Sequence, residues 1–442
     1  MSSSVKSRRQ FVGAAAVAPP ASHLVERSVR PLKVDLMKKR FGALLISIAA
    51  LASASAHSAE PMHWVASWGA SPAPPPSQTP SSSSPSFENQ TIRQIVRLSA
   101  GGERVRIRFS NEFGSKPLHI EAAHLALAAK DDGEVAGTDH TLTFGGKTSV
   151  DIPPGAPMLS DPVDLALPPL SRLSISLYLP NETGPCTCHG VGLETAFVVP
   201  GNAADQATFQ NPQTLGVRAF LTSVEVATSK PSASIIALGD SITDGVMSTS
   251  DADRRWPDRL AERLVGKPIG VVNEGISGNR LLAGGAGESA LTRFDRDVLS
   301  NSGARYLIIF EGVNDLGLRH PVDATGAPTA LTPTASDLIE AYRQLIERAH
   351  AHGLKVIGAT IVPYEGAGYY SAQGETDRET INAWIKTSHA FDAVLDFDAV
   401  WRDPSHPTRI QALFDSGDHI HGSDMGYKAL ADAIDLRLFD KN

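Results

Sequence analysis

The sequence predicts a doubly wound, three-layer α/β domain over residues 231–442, preceded by a β-sandwich or jelly-roll-like domain over residues 61–230. Three observations predict this. The chain of 442 residues is too long for one typical domain, and its hydrophobic share of 42% is enough to bury two cores. Residues 62–230 carry short β-rich runs separated by Gly, Pro, Asn and Asp turns. Beyond residue 231, apolar runs of strand length alternate with amphipathic helical patterns, the order that builds a buried parallel sheet.

Residues 1–60 read as a targeting region and are set apart from the fold. Met37-Lys38-Lys39-Arg40, an apolar run over 41–51 and a stretch of small residues have the layout of a secretory signal, with cleavage after Ala56. Ser7-Arg8-Arg9-Gln10-Phe11-Val12 resembles a twin-arginine signal, but its apolar run soon meets Pro19-Pro20. Met37 is therefore the expected start. The apolar run is too short to span a bilayer, so the mature protein is expected to be exported, periplasmic or secreted, without stable membrane insertion.

In the β-rich half the expected strands are 91–98, 104–109, 118–127 and 173–179. Alternation is strict from Arg104 to Phe109, as a strand with one wet face requires. The Pro/Ser-rich stretch 72–86 reads as a surface loop or linker. Cys186 and Cys188 are the only cysteines. On a strand this pair would make a strained bridge, and with only His189 nearby a zinc site lacks ligands. Two structural thiols or one strained local bridge is the resulting expectation.

In the α/β half the expected buried strands are 234–238, 269–272, 306–310, 356–361 and 394–397. The clearest helix is 335–352. Leu338, Ile339, Tyr342, Leu345, Ile346 and Ala349 share one face, Thr334 and Asp337 are placed as a capping box, and Gly353 stands at the stop. In such a domain ligands bind at the carboxyl ends of the strands.

Four segments put chemistry there. Ser241 follows the first strand as a candidate nucleophile, with a helix cap as the alternative. Gly278 and Asn314 follow the next two strands and could donate N–H groups to a developing oxyanion; a turn glycine and a loop-capping asparagine are the alternatives. Near the C-terminus, Asp418 and His421 stand three apart on a turn, as a base and its orienting carboxylate would, or as a solvated loop or metal-ligand pair would. His419 is expected to project elsewhere. Tyr369 and Tyr370 lie in a loop that Gly366 and Gly368 free to reach over the site, and one of them is a candidate for stacking on substrate.

Taken in order, Gly239-Asp240-Ser241, the Gly278 segment, Gly312-Val313-Asn314-Asp315 and Asp418-His419-Ile420-His421 resemble the sequence blocks of the SGNH (GDSL-type) hydrolases. The resemblance implies a flavodoxin-like fold and cofactor-free, metal-free ester hydrolysis. It implies Ser241 as nucleophile with Asp418 and His421 completing the triad, and an oxyanion hole of the Ser241 and Gly278 N–H groups with the Asn314 side chain. Further forward, Trp64-Val65-Ala66-Ser67-Trp68-Gly69, Asn89-Gln90-Thr91-Ile92-Arg93-Gln94 and Phe109-Ser110-Asn111-Glu112-Phe113-Gly114 are similar to the amino-terminal β-domain of a secreted, lysophospholipase-L1-like subgroup. Some members of it are acetyl esterases acting on plant polysaccharides. Cys186 and Cys188 are not part of that pattern.

The net charge of −8 is spread without basic runs, which argues against nucleic acid or anionic lipid as partner. A small-molecule or carbohydrate ester is the expected substrate, with short acyl groups, acetyl first. No G-x-S-x-G elbow, H-E-x-x-H pair or P-loop occurs. A lysophospholipase or lipase is the alternative enzyme and needs an apolar acyl channel, whereas loops 317–333 and 364–377 are rich in Gly, Ala and polar residues. A non-catalytic carbohydrate-binding protein built on the β-domain is the alternative outside enzymes.

Overall fold

The fold is organised around two kinds of sheet, as seen in a computed structural model that describes residues 62–74, 84–318 and 332–440. The targeting region 1–60, most of the 72–86 stretch and most of the loop 317–333 lie outside the described residues.

The first region is antiparallel. One sheet runs in the order His63–Gly69, Leu221–Thr228, Gly102–Ser110, Pro157–Leu159, with Val163–Leu167 also on Gly102–Ser110. The other runs Gln213–Leu215, Ala196–Pro200, Gln90–Arg97, Arg172–Leu179, Ala122–Leu127, His140–Thr141. Side chains from both sheets, among them Ile92, Val96, Val105, Ile107, Ile175 and Val224, form one buried core. The expected strand 118–127 is broken into Leu118–Ile120 and Ala122–Leu127, which pair with different partners, Val150–Ile152 and Arg172–Leu179.

The alternation at 104–109 holds, with Val105, Ile107 and Phe109 fully buried. Its polar face, however, is not simply wet. Arg106 and Arg108 both pair with the buried Glu225, at 2.6 and 2.9 Å, and reach Ser302 and Ser300 of the α/β region. Arginine suits this position because its planar fork meets a carboxylate and a neighbouring hydroxyl at once.

Cys186 and Cys188 are joined in a disulfide with their Cα atoms 5.4 Å apart. Only Cys188 belongs to a strand, the two-residue Cys188–His189 that pairs with Arg218–Ala219. Cys186 lies outside the strand, after a bend at Pro185, and the two residues stand within bridging distance, so the local bridge, not a pair of thiols, is what forms.

In the second region five parallel strands, β1 (Ala233–Gly239), β2 (Ile269–Gly275), β3 (Ala304–Phe310), β4 (Lys355–Ala359) and β5 (Ala393–Leu395), are ordered β2-β1-β3-β4-β5. This is the flavodoxin-like doubly wound order. Every residue of β1 is buried, as its run of Ile, Ala and Leu requires with a strand on either side. The expected strand 356–361 stops at Ala359 because the Ile361 N–H leaves the ladder for the Asn382 side chain, at 2.8 Å. Phe397, expected at the end of a strand, instead opens a short helix capped by Asp396.

The helices that matter for the site are α1 (Ser241–Asp244), α2 (Trp256–Arg263), α3 (Ala290–Phe294), α4 (Val313–Gly317) and α5 (Ala335–Ala351). The α5 capping box forms as read: Thr334 Oγ1 accepts from the Asp337 N–H and the Asp337 carboxylate accepts from the Thr334 N–H. The two regions meet closely. Ser234 Oγ donates to the Ala66 carbonyl, the Val271 N–H donates to Ser99 Oγ, and an added Cβ at Gly270 would lie 2.2 Å from the Ala66 oxygen. All described residues belong to one unit, 59–442. Among them, no helix is long and apolar enough to cross a membrane.

Candidate active site

The end of β1 delivers Ser241 to the carboxyl edge of the sheet, beside two other strand ends. Asp240 is the cap of α1: its carboxylate accepts from the Ile242 N–H at 2.9 Å. Ser241 is thus the first helical residue, and its hydroxyl is not used for capping. Its N–H belongs to the first turn, where backbone donors have no partner within the helix.

His421 faces it. Nε2 lies 2.8 Å from Ser241 Oγ, and Nδ1 lies 2.6 Å from Asp418 Oδ2. The other carboxylate oxygen of Asp418 accepts from Ser416 Oγ and from the backbone N–H groups of Ile420 and His421, at 2.9–3.1 Å. Partial burial opposes the charge on Asp418, but these bonds, first among them that to the His421 ring, outweigh it and hold the carboxyl below its usual range. An ionised carboxylate at Nδ1 requires a proton there, which leaves Nε2 as the acceptor for the serine hydroxyl.

The neighbouring histidine points away. His419 adopts a positive φ of 66°, and its ring bonds to Asp415 at 2.7 Å with half of the side chain exposed. The left-handed residue reverses the chain, so positions 418 and 421 return to one side of the turn while 419 leaves it.

The loops after β2 and β3 close the other side. Gly278 has φ 80°, and an added Cβ would lie 2.9 Å from that of Ala286, so the position suits glycine twice over. Asn314 sits in the first turn of α4, 3% exposed. Its Nδ2 donates to the carbonyl of Asn279, the residue after Gly278, at 3.0 Å. Asn279 is itself fixed: its amide donates to the carbonyls of Ala286 and Glu288 and accepts from the buried Arg293. Arg293 also donates to the Gly239 and Glu274 carbonyls, tying the end of β1 to the end of β2. Asp315 binds the Leu281 and Leu282 N–H groups, which makes it a tie between loops, and burial raises its carboxyl to about 6.

Tyr369 reaches this group through its hydroxyl, 3.0 Å from Asn314 Oδ1. Tyr370 packs edge-on against Tyr364 with ring centroids 5.2 Å apart.

Sequence reasoning missed Asp244 and His189. One carboxylate oxygen of Asp244 accepts from the Ser277 N–H and the other lies 3.0 Å from His189 Nε2. His189 comes from the antiparallel region, next to the disulfide. In the sequence its only signal is its place beside Cys188, which points to a metal ligand rather than to a partner for Asp244. Among the described residues no group of three or more His, Cys, Asp or Glu side chains could hold a metal ion.

Residues 237–429 match the model of the family described as GDSL-like Lipase/Acylhydrolase. None of the curated proteins matches the chain. Among solved structures, a lipase/acylhydrolase from Enterococcus faecalis is similar at 22% identity, covering 46% of this chain and 92% of that one, with a TM-score of 0.35. The acetyl xylan esterase AlAXEase is 23% identical over 45% of this chain and 96% of its own, TM-score 0.34. Est24, a carbohydrate acetylesterase from Sinorhizobium meliloti, is 18% identical over 47% and 98%, TM-score 0.37.

Proposed function

We propose that the protein is a carboxylic ester hydrolase of the GDSL-like acylhydrolase kind, whose family model its residues 237–429 match, and that it cleaves short-chain acyl esters, acetyl above all, through an acyl-enzyme on Ser241. The observation that carries this reading is His421 standing between Ser241 Oγ and Asp418.

In the proposed reaction His421 Nε2 takes the hydroxyl proton as Ser241 Oγ attacks the ester carbonyl carbon. Asp418 holds the ring in the required tautomer and stabilises the imidazolium. The N–H groups of Ser241 and Gly278 and the Asn314 amide receive the negative charge of the tetrahedral intermediate. His421 then returns the proton to the departing alcohol, and water, activated by the same ring, releases the acid and frees Ser241.

The short acyl group is supported by the seating of the nucleophile: Ser241 is 4% exposed, hemmed in by strand-end loops that are bonded to one another. A carbohydrate alcohol portion fits the absence of basic runs in the sequence. Export is supported by the signal-like segment near Met37 and by the Cys186–Cys188 bridge, since disulfides persist in oxidising compartments. One observation favours a second reading, a longer acyl chain. A cavity of about 350 Å³, walled by Val191, Val217, Ile276 and Ala286, borders Asp244 and Ser277.

Hydrolysis of aryl esters of increasing acyl length, and of acetylated polysaccharides, separates the two. Acetyl esters should be turned over fastest, and Ser241→Ala should abolish turnover while leaving the fold intact. Activity of that variant within about tenfold of the parent enzyme would refute the mechanism, and a rate that rises with chain length would favour the second reading.

A further inference from the structure

The Asn314 amide is held at both ends. Its Nδ2 donates to the Asn279 carbonyl at 3.0 Å, and Oδ1 lies 3.0 Å from the Tyr369 hydroxyl. The Asn279 contact decides the orientation. With the amide turned over, Oδ1 would face a carbonyl oxygen, and two acceptors would meet. Oδ1 therefore faces Tyr369, and the phenol must be the donor. Asn314 is left with one N–H to give, on the second hydrogen of Nδ2.

Tyr369 is built for this task. Its ring lies across Gly317, the last residue of α4, so closely that an added Cβ there would meet a ring carbon at 1.9 Å. Gly317 and Asn314 are three apart and share a helix face. The phenol thus crosses from one end of α4 to the side chain at the other. Burial raises the Tyr369 hydroxyl well above its ordinary value, which keeps it a donor throughout the working range.

We propose that Tyr369 is a positioning residue, whose hydroxyl locks the Asn314 amide plane and, by drawing on Oδ1, strengthens the remaining Nδ2 hydrogen as a donor to the oxyanion. Hydrogen bonds in series polarise one another, so a donor on the carbonyl end of an amide makes its nitrogen end a better donor. This inference rests on the reading of Asn314 as an oxyanion-hole residue. It gives Tyr369 a role through another side chain rather than by stacking on substrate.

The test is Tyr369→Phe, which keeps the ring and removes only the hydroxyl, made in the parent enzyme and in the Asn314→Ala background. In the parent, kcat should fall by about tenfold with KM within about twofold, and affinity for an alkylboronic acid, which captures Ser241 as a tetrahedral adduct, should fall in step. In the Asn314→Ala background the same change should cost less than about twofold, because the partner is already gone. A parent-like kcat for Tyr369→Phe, an effect confined to KM, or equal losses in both backgrounds would each overturn the proposal. If Asn314→Ala alone leaves kcat unchanged, the oxyanion reading itself falls, an outcome separate from failure of the Tyr369 variant.

Discussion

His189 and Asp244 form a buried pair at 3.0 Å that joins the antiparallel region to the helix carrying Ser241. Both ring nitrogens of His189 face only acceptors: Nδ1 the Ser71 carbonyl, Nε2 the Val191 carbonyl and Asp244. Such a ring must carry both protons. Burial opposes the charge, but Asp244 more than compensates, and the histidine is held above its ordinary value.

The pair should matter to catalysis without touching substrate. Asp244 also receives the Ser277 N–H, one residue before Gly278. His189→Ala leaves a buried carboxylate without its counter-charge, a change of the kind that costs several kcal/mol, about 3–5 where measured. Its kcat/KM should fall by at least about tenfold, and hydrogen exchange over residues 276–279 should accelerate. Parent-like values for both would show that the pair does not support the loop.

Of the two neighbouring histidines, His421 should be the indispensable one. His421→Ala should lower kcat by several orders of magnitude, roughly 10³–10⁶ as in comparable triads, whereas His419→Ala should remain within about tenfold of the parent. The kcat/KM profile should fall on the acid side as His421 takes a proton and can no longer accept one from Ser241. A dead His419→Ala beside an active His421→Ala would reverse the assignment.

Asn314→Ala should reduce kcat by about a hundredfold or more with little change in KM, since in the proposed mechanism its amide acts mainly on charge that develops in the transition state. Steady-state kinetics on one acetyl ester suffices. A pure KM effect would make Asn314 a substrate-binding residue.

Stability should decline as pH rises above the ordinary carboxylate range. Glu311 is buried behind the site; burial first, then the neighbouring Asp240, raises its carboxyl well above the ordinary value. A group whose value is raised on folding stabilises most below its unfolded value and loses that contribution as pH rises through the folded one. His189, also raised, acts in the same direction. Glu311→Gln removes the titration and should flatten the dependence of Tm on pH over this window. An unchanged slope would place the dependence elsewhere.

Much of the α/β region was legible because its signals are local. Buried parallel strands need unbroken apolar runs, so 234–238 and 306–310 were readable, and α5 declared itself through Thr334, Asp337 and the spacing of its apolar face. The positions of Ser241, Gly278 and Asn314 at strand ends followed from the alternation of elements alone. Boundaries were less legible where a side chain competes for the backbone, as Asn382 does for the Ile361 N–H. Nor could alternation at 104–109 reveal that its arginines meet Glu225 and the second region, because a period of two reports which residues share a face and not what that face meets.

The sequence by itself determined the kinds of sheet, the order of their elements and the residue types at each strand end, since all of these depend on neighbours a few positions away. Only the tertiary structure shows the contacts themselves: the expected base His421 against Ser241 and, unforeseen, His189 on Asp244 and Tyr369 on Asn314. Each of those contacts joins residues 55–180 positions apart. Contacts at that range are set by how the chain packs, and a hydrogen bond made across the fold leaves no periodicity in the sequence from which it could be read.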